Sequence, residues 1–180
     1  MEVLEAMRRR RMHRSFDPSP LDEPTLQKLA WAATRAPAGG NQPSRYVLVV
    51  NDPRLVKTVV EVSPSYIGTL PAAILLVLTD INNAERQIKT QNHDHLSHTD
   101  ANTATKHIIL TTINLNLKYY LFHCSNKSAL RAVLDLPPYV RVEGLCAVGR
   151  PAPTPSPAMK APKQTVFLDT WGAEWEVRRP

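Results

Sequence analysis

Cysteine is scarce in this sequence, with only Cys124 and Cys146 among 180 residues and no Cys-x-x-Cys pair. This count argues against a disulfide-stapled scaffold and against a cysteine-built zinc site. Free thiols suit a reducing compartment. Because the N-terminal residues also contain no apolar signal core, we expect a cytoplasmic protein.

Long hydrophobic runs and several common motifs are also missing. The longest apolar run, residues 72–78, is far shorter than the ~18 residues that a membrane helix needs, so we expect no membrane anchor. Glycine-rich dinucleotide and phosphate-loop motifs are absent, as is a Gly-x-Ser-x-Gly nucleophile turn. There is no internal repeat, and the length predicts one domain over residues 1–180.

Positive charge, by contrast, is concentrated in one place. The net charge is +6, and five arginines lie between Arg8 and Arg14. Guanidinium groups bind phosphate well, so this run indicates a phosphate-bearing small molecule. A solvated basic helix end is the simpler alternative. Nucleic acid is a third interpretation, but interleaved aromatics and a known nucleic-acid motif are both absent, so we do not expect it as a partner.

The apolar pattern mixes helices and strands, which predicts an α+β sandwich. Helices are predicted over residues 2–11, from Asp22 to a stop at Pro37, after the Asp52 cap, over residues 101–121, and after the Asn126 cap. Strands are predicted over residues 46–50, 74–79 and 140–148. Residues 80–100 are polar and predict a loop or a loosely helical surface segment.

Three histidines lie in this polar stretch, His93, His95 and His98. The spacing His-x-His-x-x-His can ligate a metal. No downstream ligand pattern supports such a site, and water can solvate these side chains in a loop. We therefore predict no metal site.

Several motifs follow one another along the chain. The arginine run ends at Phe16 and is followed by Ala-Pro-x-x-x-Asn-Gln-Pro, a buried strand and a long core helix. Ala-Leu-Arg-x-Val-Leu-x-Leu-Pro and a strand ending in Val-Gly-x-Pro come next. In this order and spacing, the chain resembles the FMN-dependent nitroreductase family over nearly its whole length.

The resemblance implies a fold and a state of assembly. The expected fold is an α-β-α sandwich with a central, mainly antiparallel sheet, in an intertwined homodimer that binds FMN at its interface. Residues 151–180 would then extend over the partner subunit. Proline is frequent between residues 151 and 162, so this segment is expected to be extended.

The resemblance also carries cofactor contacts over to positions of this chain. The FMN phosphate and ribityl chain correspond to Arg10, Arg11, Met12 and Arg14. The loop over the isoalloxazine, usually from the other subunit, corresponds to Pro37, Ala38, Gly39 and Asn41. Backbone near flavin N5 corresponds to Phe122, His123 and Cys124, and a late phosphate contact to Lys160. Arg8 and Arg9 are interpreted as solvated helix surface.

The activity implied is that of an FMN-dependent oxidoreductase that uses NAD(P)H to reduce a small organic acceptor, such as a nitroaromatic or a quinone. No catalytic side chain is expected, because the cofactor carries the chemistry. Met12 replaces a usual serine, and Asn116 and Lys118 replace two glycines before Tyr119 and Tyr120. These departures leave an alternative open, a flavin-binding, storage or interaction protein with the same fold and little turnover.

Overall fold

The structure is a computed structural model, which describes residues 1–39, 44–63, 65–87, 93–153 and 164–177. Two predicted site residues, Asn41 and Lys160, and most of the proline-rich stretch lie outside the described residues. The helices are α1 (Val3–Arg9), α2 (Glu23–Thr34), α3 (Pro53–Val62), α4 (Ile81–Gln87), α5 (His93–Asn114) and α6 (Lys127–Val133). The strands are β1 (Phe16–Asp17), β2 (Arg45–Val50), β3 (Ala73–Asp80), β4 (Lys118–Phe122) and β5 (Val140–Pro151).

The five strands form one antiparallel sheet around β5. Strand β3 pairs with one edge of β5 and carries β2 on its far side. Strands β4 and β1 pair with successive parts of the other edge of β5. The predicted mainly antiparallel sheet is therefore confirmed.

Helices cover both faces of the sheet, and β3 shows how the two cores are built. Ala73, Leu75 and Val77 enter a core with α2 and α5. Ile74 and Leu76 enter the opposite core with α3 and α6. Alternate residues of a strand point to opposite faces, so an apolar run such as β3 serves both cores. The predicted α-β-α sandwich is confirmed.

The polar stretch at residues 80–100 follows the helical one of its two predicted alternatives, a loop or a loosely helical surface segment. Most of that stretch is helical, as α4 and the first turns of α5. Arg141 of β5 bonds the Asp94 carboxylate on α5 at 2.8 Å, and Glu143 bonds His98 at 2.6 Å. Because these partners come from a distant strand, local sequence does not reveal why this stretch is helical.

The end of α5 corrects a prediction. The helix stops at Asn114, and part of the stretch predicted as its last turns is the strand β4. Asn116 has φ 57, in the left-handed region that asparagine tolerates better than most residues. Its N–H donates to the Ile113 carbonyl, and the N–H of Leu117 donates to the Thr112 carbonyl. These two bonds form a Schellman motif, which turns the chain sharply into β4.

We expect Asn116→Ala to lower the free energy of unfolding by about 1 kcal/mol, because alanine is strained at positive φ. Asn116→Gly should be at least as stable as the wild type. The measurement is urea unfolding followed by circular dichroism. Asn114→Ala is the matched control, since Asn114 is exposed within the last helical turn and alanine favours a helix. Equal losses for Asn116→Ala and Asn114→Ala would contradict the role given to the turn.

Candidate functional site

The edge of β4 that faces away from β5 is covered by the second half of the arginine run. Met12 forms a parallel bridge with Tyr119 on this edge, and the His13 N–H donates to the Tyr119 carbonyl at 2.9 Å. The chain at Met12 and His13 therefore runs in the same direction as β4. It bends at Arg14, and Phe16 then pairs with Pro151, beyond the Lys118–Gly149 pair at the start of β4. The structure thus brings Met12 and Arg14 beside Tyr119 and Tyr120, in the strand that ends at the predicted residue Phe122.

Arg10 and Arg14 lie on opposite faces of β4. Arg10 donates to the hydroxyl of Tyr119 at 3.2 Å, and that tyrosine is buried in the core with α5. The guanidinium of Arg14 lies 5.4 Å from the ring centre of Tyr120, which belongs to the opposite core, and 5.9 Å from that of Tyr66. Successive strand residues face opposite ways, so the two arginines are drawn apart.

The guanidinium of Arg14 has an N–H donor that is available to a ligand. Its Nε is buried and has no hydrogen-bond partner among the described residues. A guanidinium carries five N–H donors, and a buried donor without an acceptor is unusual. Contact with two aromatic rings orients the group without using these donors. Arg14 therefore fits an oxygen-bearing ligand at the β4 edge.

The other basic residues line a cleft of about 270 Å³ at the start of β4. We call it the cationic cleft, and it is lined by Arg8, Arg9, Arg11, Ile113, Asn116, Leu117 and Lys118. Glu5 pairs with Arg8 at 2.7 Å and with Arg9 at 3.5 Å. The pKa of neighbouring His13 is lowered by burial and by the charge of Lys118. The residues present therefore suit a phosphate group.

The segment after β4 holds the second group of predicted residues. Phe122 is buried, and its ring stacks on that of Tyr120 with centres 6.2 Å apart. The buried thiol of Cys124 lies 3.2 Å from the carbonyls of both Val62 and Asn126, and its single S–H can donate to either of them. These contacts are those of a packed structural residue. His123 is exposed.

A cavity of about 410 Å³ opens beside His123 and Cys124. Its charged wall was missed by the sequence reasoning. The Glu143 carboxylate bonds His98 Nδ1 at 2.6 Å and Arg141 Nε at 2.8 Å. Arg141 and Glu143 are two apart on a strand, so they share a face. Two charged residues at this spacing in a predicted core strand are the sequence signal that could have indicated this charged wall.

The loop with Pro37 and Gly39 lies elsewhere, against α5. Arg45 donates to the carbonyls of Ala36, Pro37 and Asp100, the latter two at 2.7 and 3.2 Å. The Gly39 N–H donates to both carboxylate oxygens of Asp100 at 3.0 Å. Ala38 is half-buried between them. The described contacts of this loop are with α2, β2 and α5, and none joins it to the β4 edge.

The described ranges hold neither a cluster of metal ligands nor a membrane-spanning helix. No group of three His, Cys, Asp or Glu side chains there forms a metal site. No described helix is long and apolar enough to cross a membrane.

Burial raises the pKa of the Cys146 thiol to about 12, so this thiol stays protonated and unreactive.

Sequence comparison identifies one family. The profile of the nitroreductase family matches residues 7–65, which contain the arginine run, the loop with Pro37 and Gly39, and α3. No curated protein matches the chain in sequence. The match therefore covers the segment that lines the β4 edge, together with the loop that lies apart from it.

Solved structures share the fold over most of the chain at low identity. A candidate NADH dehydrogenase/NAD(P)H nitroreductase from Parabacteroides distasonis has a TM-score of 0.78 at 18% identity, over 94% of this chain and 98% of that one. A candidate nitroreductase from Desulfovibrio desulfuricans, solved with FMN, has a TM-score of 0.75 at 23% identity, over 89% and 92% of the two chains. An FMN-dependent nitroreductase from Clostridium difficile has a TM-score of 0.71 at 17% identity, over 86% and 90%. The predicted resemblance is therefore confirmed: the chain has the nitroreductase fold, and residues 7–65 carry the sequence pattern of the nitroreductase family.

Proposed function

We propose that this protein is an FMN-dependent oxidoreductase that uses NAD(P)H to reduce a small organic acceptor, such as a nitroaromatic or a quinone. The observation that carries the proposal is the position of Met12 and Arg14 on β4, where Met12 bridges Tyr119 and the Arg14 guanidinium lies over the Tyr120 ring, two residues before Phe122. This arrangement assembles cationic, aromatic and backbone groups along one strand edge, on a fold shared with FMN-dependent proteins.

Bound FMN would supply the hydride-transfer chemistry, so the task of the chain is to hold and orient the cofactor. Arg14 offers free guanidinium donors at the middle of the β4 edge. Phe122, His123 and Cys124 lie at and just after the end of β4. Arg10 and Arg11 supply positive charge near its start. No side chain of this chain is assigned to proton transfer, and His123 is treated as structural.

The loop with Pro37, Ala38 and Gly39 requires a second subunit in this proposal. Within one chain it is fixed against α5, apart from the β4 edge. We propose that the protein is a homodimer in which this loop, with Asn41, completes the site of the partner. Lys160 is proposed as a further phosphate contact. We also propose that residues 1–180 form one domain and act in the cytoplasm.

The segment after the proline-rich stretch supports a dimer. Trp171 is 91% exposed, and Leu168 and Trp175 are about half exposed. The ring of Phe167 contacts that of Trp171 with centres 4.8 Å apart, which leaves most of this apolar surface uncovered. Exposed clusters of this kind mark interaction surfaces. We propose that the partner subunit covers it.

A purified protein tests the function directly. We expect a flavin absorbance spectrum that is bleached by NADH or NADPH without oxygen and recovers when a quinone or nitroaromatic is added. A colourless protein that takes up no FMN on titration would contradict the proposal. A yellow protein that neither nicotinamide bleaches would instead favour the flavin-binding alternative, which the replacement of Ser by Met12 and of Gly by Lys118 keeps open.

Arg14 provides a second test. We expect Arg14→Ala to weaken FMN binding by about 1.5–3 kcal/mol, the range for a hydrogen bond to a charged group. Because Arg14 lies near the middle of β4, riboflavin should lose a similar amount. Flavin fluorescence titration measures both affinities, and Arg54→Ala, an exposed position on α3, is the control. Unchanged affinities in Arg14→Ala would remove this residue from the site.

The shared site makes a prediction about mixed dimers. Arg14→Ala damages the β4 edge, and Arg45→Ala frees the loop by removing its carbonyl contacts. Each variant alone should bind FMN poorly. Dimers that combine one subunit of each variant should regain one intact site per dimer, because both lesions then fall in the other site. Failure to regain FMN in purified mixed dimers, or a monomeric mass of the wild type by light scattering, would contradict the two-subunit site.

A further inference from the structure

The cavity of about 410 Å³ beside His123 and Cys124 has no occupant in the function proposed above. Its volume falls within the ~300–1,000 Å³ of typical small-molecule sites. We call it the Gly144 cavity, because that glycine of β5 lies on its wall. The rest of the wall comes from the first half of α5, from α6 and from the residues of β5 around the glycine.

The sequence of β5 creates this space. A Cβ atom built at Gly144 would meet no atom of the described residues within 4 Å, its chain neighbours aside. Glycine weakens a strand interior, and there it often marks the close approach of another group. The register between β3 and β5 also shifts here, since Val77 pairs with Gly144 and Leu78 pairs with Val142. Glu143 is thus the extra residue of a β-bulge, a feature that often lies beside binding sites.

The edge of β5 next to the cavity is open. Strand β4 ends at Phe122, which pairs with Leu145. Residues 140–144 therefore extend beyond β4, and the described strands leave this edge of β5 without a partner. Backbone N–H groups on an unpaired strand edge are available to donate to a ligand. An oxygen-bearing ligand in the cavity would supply the acceptors.

The charge of the wall is positive once its internal pairs are set aside. The Glu143 carboxylate is neutralised by Arg141 at 2.8 Å and also bonds His98 at 2.6 Å. Lys127 and Arg131 of α6 line the cavity too, and neither pairs with a carboxylate among the described residues. Arg131 donates to two backbone carbonyls after α6, which orient the guanidinium without cancelling its charge. The wall therefore favours an anion.

Apolar side chains make up much of the remaining lining, namely Leu130, Leu136, Val142 and Leu145. Leu130 and Leu145 belong to the core of the sheet and are buried. A small inorganic ion would leave this apolar surface exposed to water, whereas the ring of an organic molecule would cover it. The ligand that fits both the charge and the apolar surface is an organic anion with a flat apolar body.

We propose that the Gly144 cavity is the acceptor site and that its substrates are small aromatic acceptors that carry a carboxylate. The ring lies over Gly144 against the apolar residues, and Lys127 binds the carboxylate with Arg131 beside it. The inference rests on the proposed function, since His123 and Cys124 line this cavity and are also predicted contacts of flavin N5. It narrows the acceptor from nitroaromatics and quinones in general to anionic ones.

Two probes of the same shape test the charge preference. 4-Nitrobenzoate carries a carboxylate, and 4-nitrobenzamide carries a neutral amide in its place. Calorimetry with the oxidised, FMN-loaded protein should show about 10-fold tighter binding of nitrobenzoate, the difference between a hydrogen bond to a charged group and a neutral one. Lys127→Met should weaken nitrobenzoate binding by about the same factor and so remove the preference. Lys28→Met, at an exposed lysine of α2 outside the cavity, is the matched control.

The same preference should appear in turnover. Oxidation of NAD(P)H supplies a hydride, which together with one proton from the solvent converts the nitro group to a nitroso group and water. The KM for nitrobenzoate should lie below that for nitrobenzamide in the wild type, and Lys127→Met should bring the two KM values together.

Filling the cavity provides an independent test. Gly144→Val adds a β-branched side chain in open space, so β5 should still fold. Both probes should then lose binding, whereas the variant should purify with its flavin absorbance spectrum. Circular dichroism checks that the fold is kept.

The outcomes separate this inference from the proposed function. If NAD(P)H bleaches the bound flavin but the wild type binds both probes equally, or Lys127→Met keeps the preference, the inference is wrong and the function stands. Undiminished binding of both probes to Gly144→Val would place the acceptor elsewhere. If the wild type takes up no FMN, the proposed function fails, and calorimetry with the flavin-free protein decides about the cavity. Nitrobenzoate binding that Gly144→Val abolishes would then support an anion site, and no binding would overturn it.

Discussion

The candidate site depends on the turn at Asn116, where α5 ends and β4 begins. The two backbone bonds of the Schellman motif end the helix within two residues and reverse the chain. Lys118 thereby begins a strand beside the end of α1. Had the helix continued through the apolar residues that follow, β5 would lack its β4 neighbour and Met12 would have no strand to bridge. The cationic cleft and the aligned arginine segment both follow from this one backbone conformation.

Strand β4 also determines which face of the sheet each arginine lies on. Tyr119 and Tyr120 are buried in opposite cores, and each attracts one arginine to its own face. Both tyrosines are therefore packed inside the protein rather than held at the strand edge. The two rings that replace small residues of the family pattern therefore do not occupy the strand edge, which Met12 and His13 contact instead. The bulk of these residues stabilises the strand that carries the site.

Local signals in the sequence were sufficient to predict several helices and strands. The cap residues Asp52 and Asn126 accept the predicted backbone bonds at the starts of α3 and α6. The buried run of β3 was recognisable because both of its faces are apolar. The end of α5 was not recognisable from the sequence, because an apolar run has the same composition in a buried helix and in a buried strand. Only the left-handed backbone at Asn116 separates them, and asparagine is a weaker signal for it than glycine.

The positive charge of the candidate site was predictable from the sequence, but the geometry of the site was not. Arginines adjacent in sequence diverge in space because α1 ends at Arg9 and the segment after it follows a strand. Lys118 joins them from a position more than one hundred residues later, so no local pattern reveals it. The charged pair Arg141 and Glu143 was visible as an alternation within β5, but its partners on α5 depend on the tertiary fold. Long-range pairing therefore decides which of the predicted residues share a site.

The loop with Pro37 and Gly39 is held in place by polar contacts within its own chain. Arg45 satisfies three backbone carbonyls, and Asp100 accepts the Gly39 N–H, so the described part of the loop is ordered by its own subunit. A loop that is already fixed loses little conformational entropy when it binds a partner. In the proposed dimer, the hydrogen bonds around Arg45 and Asp100 would therefore preorganise the loop for its contact with the partner subunit.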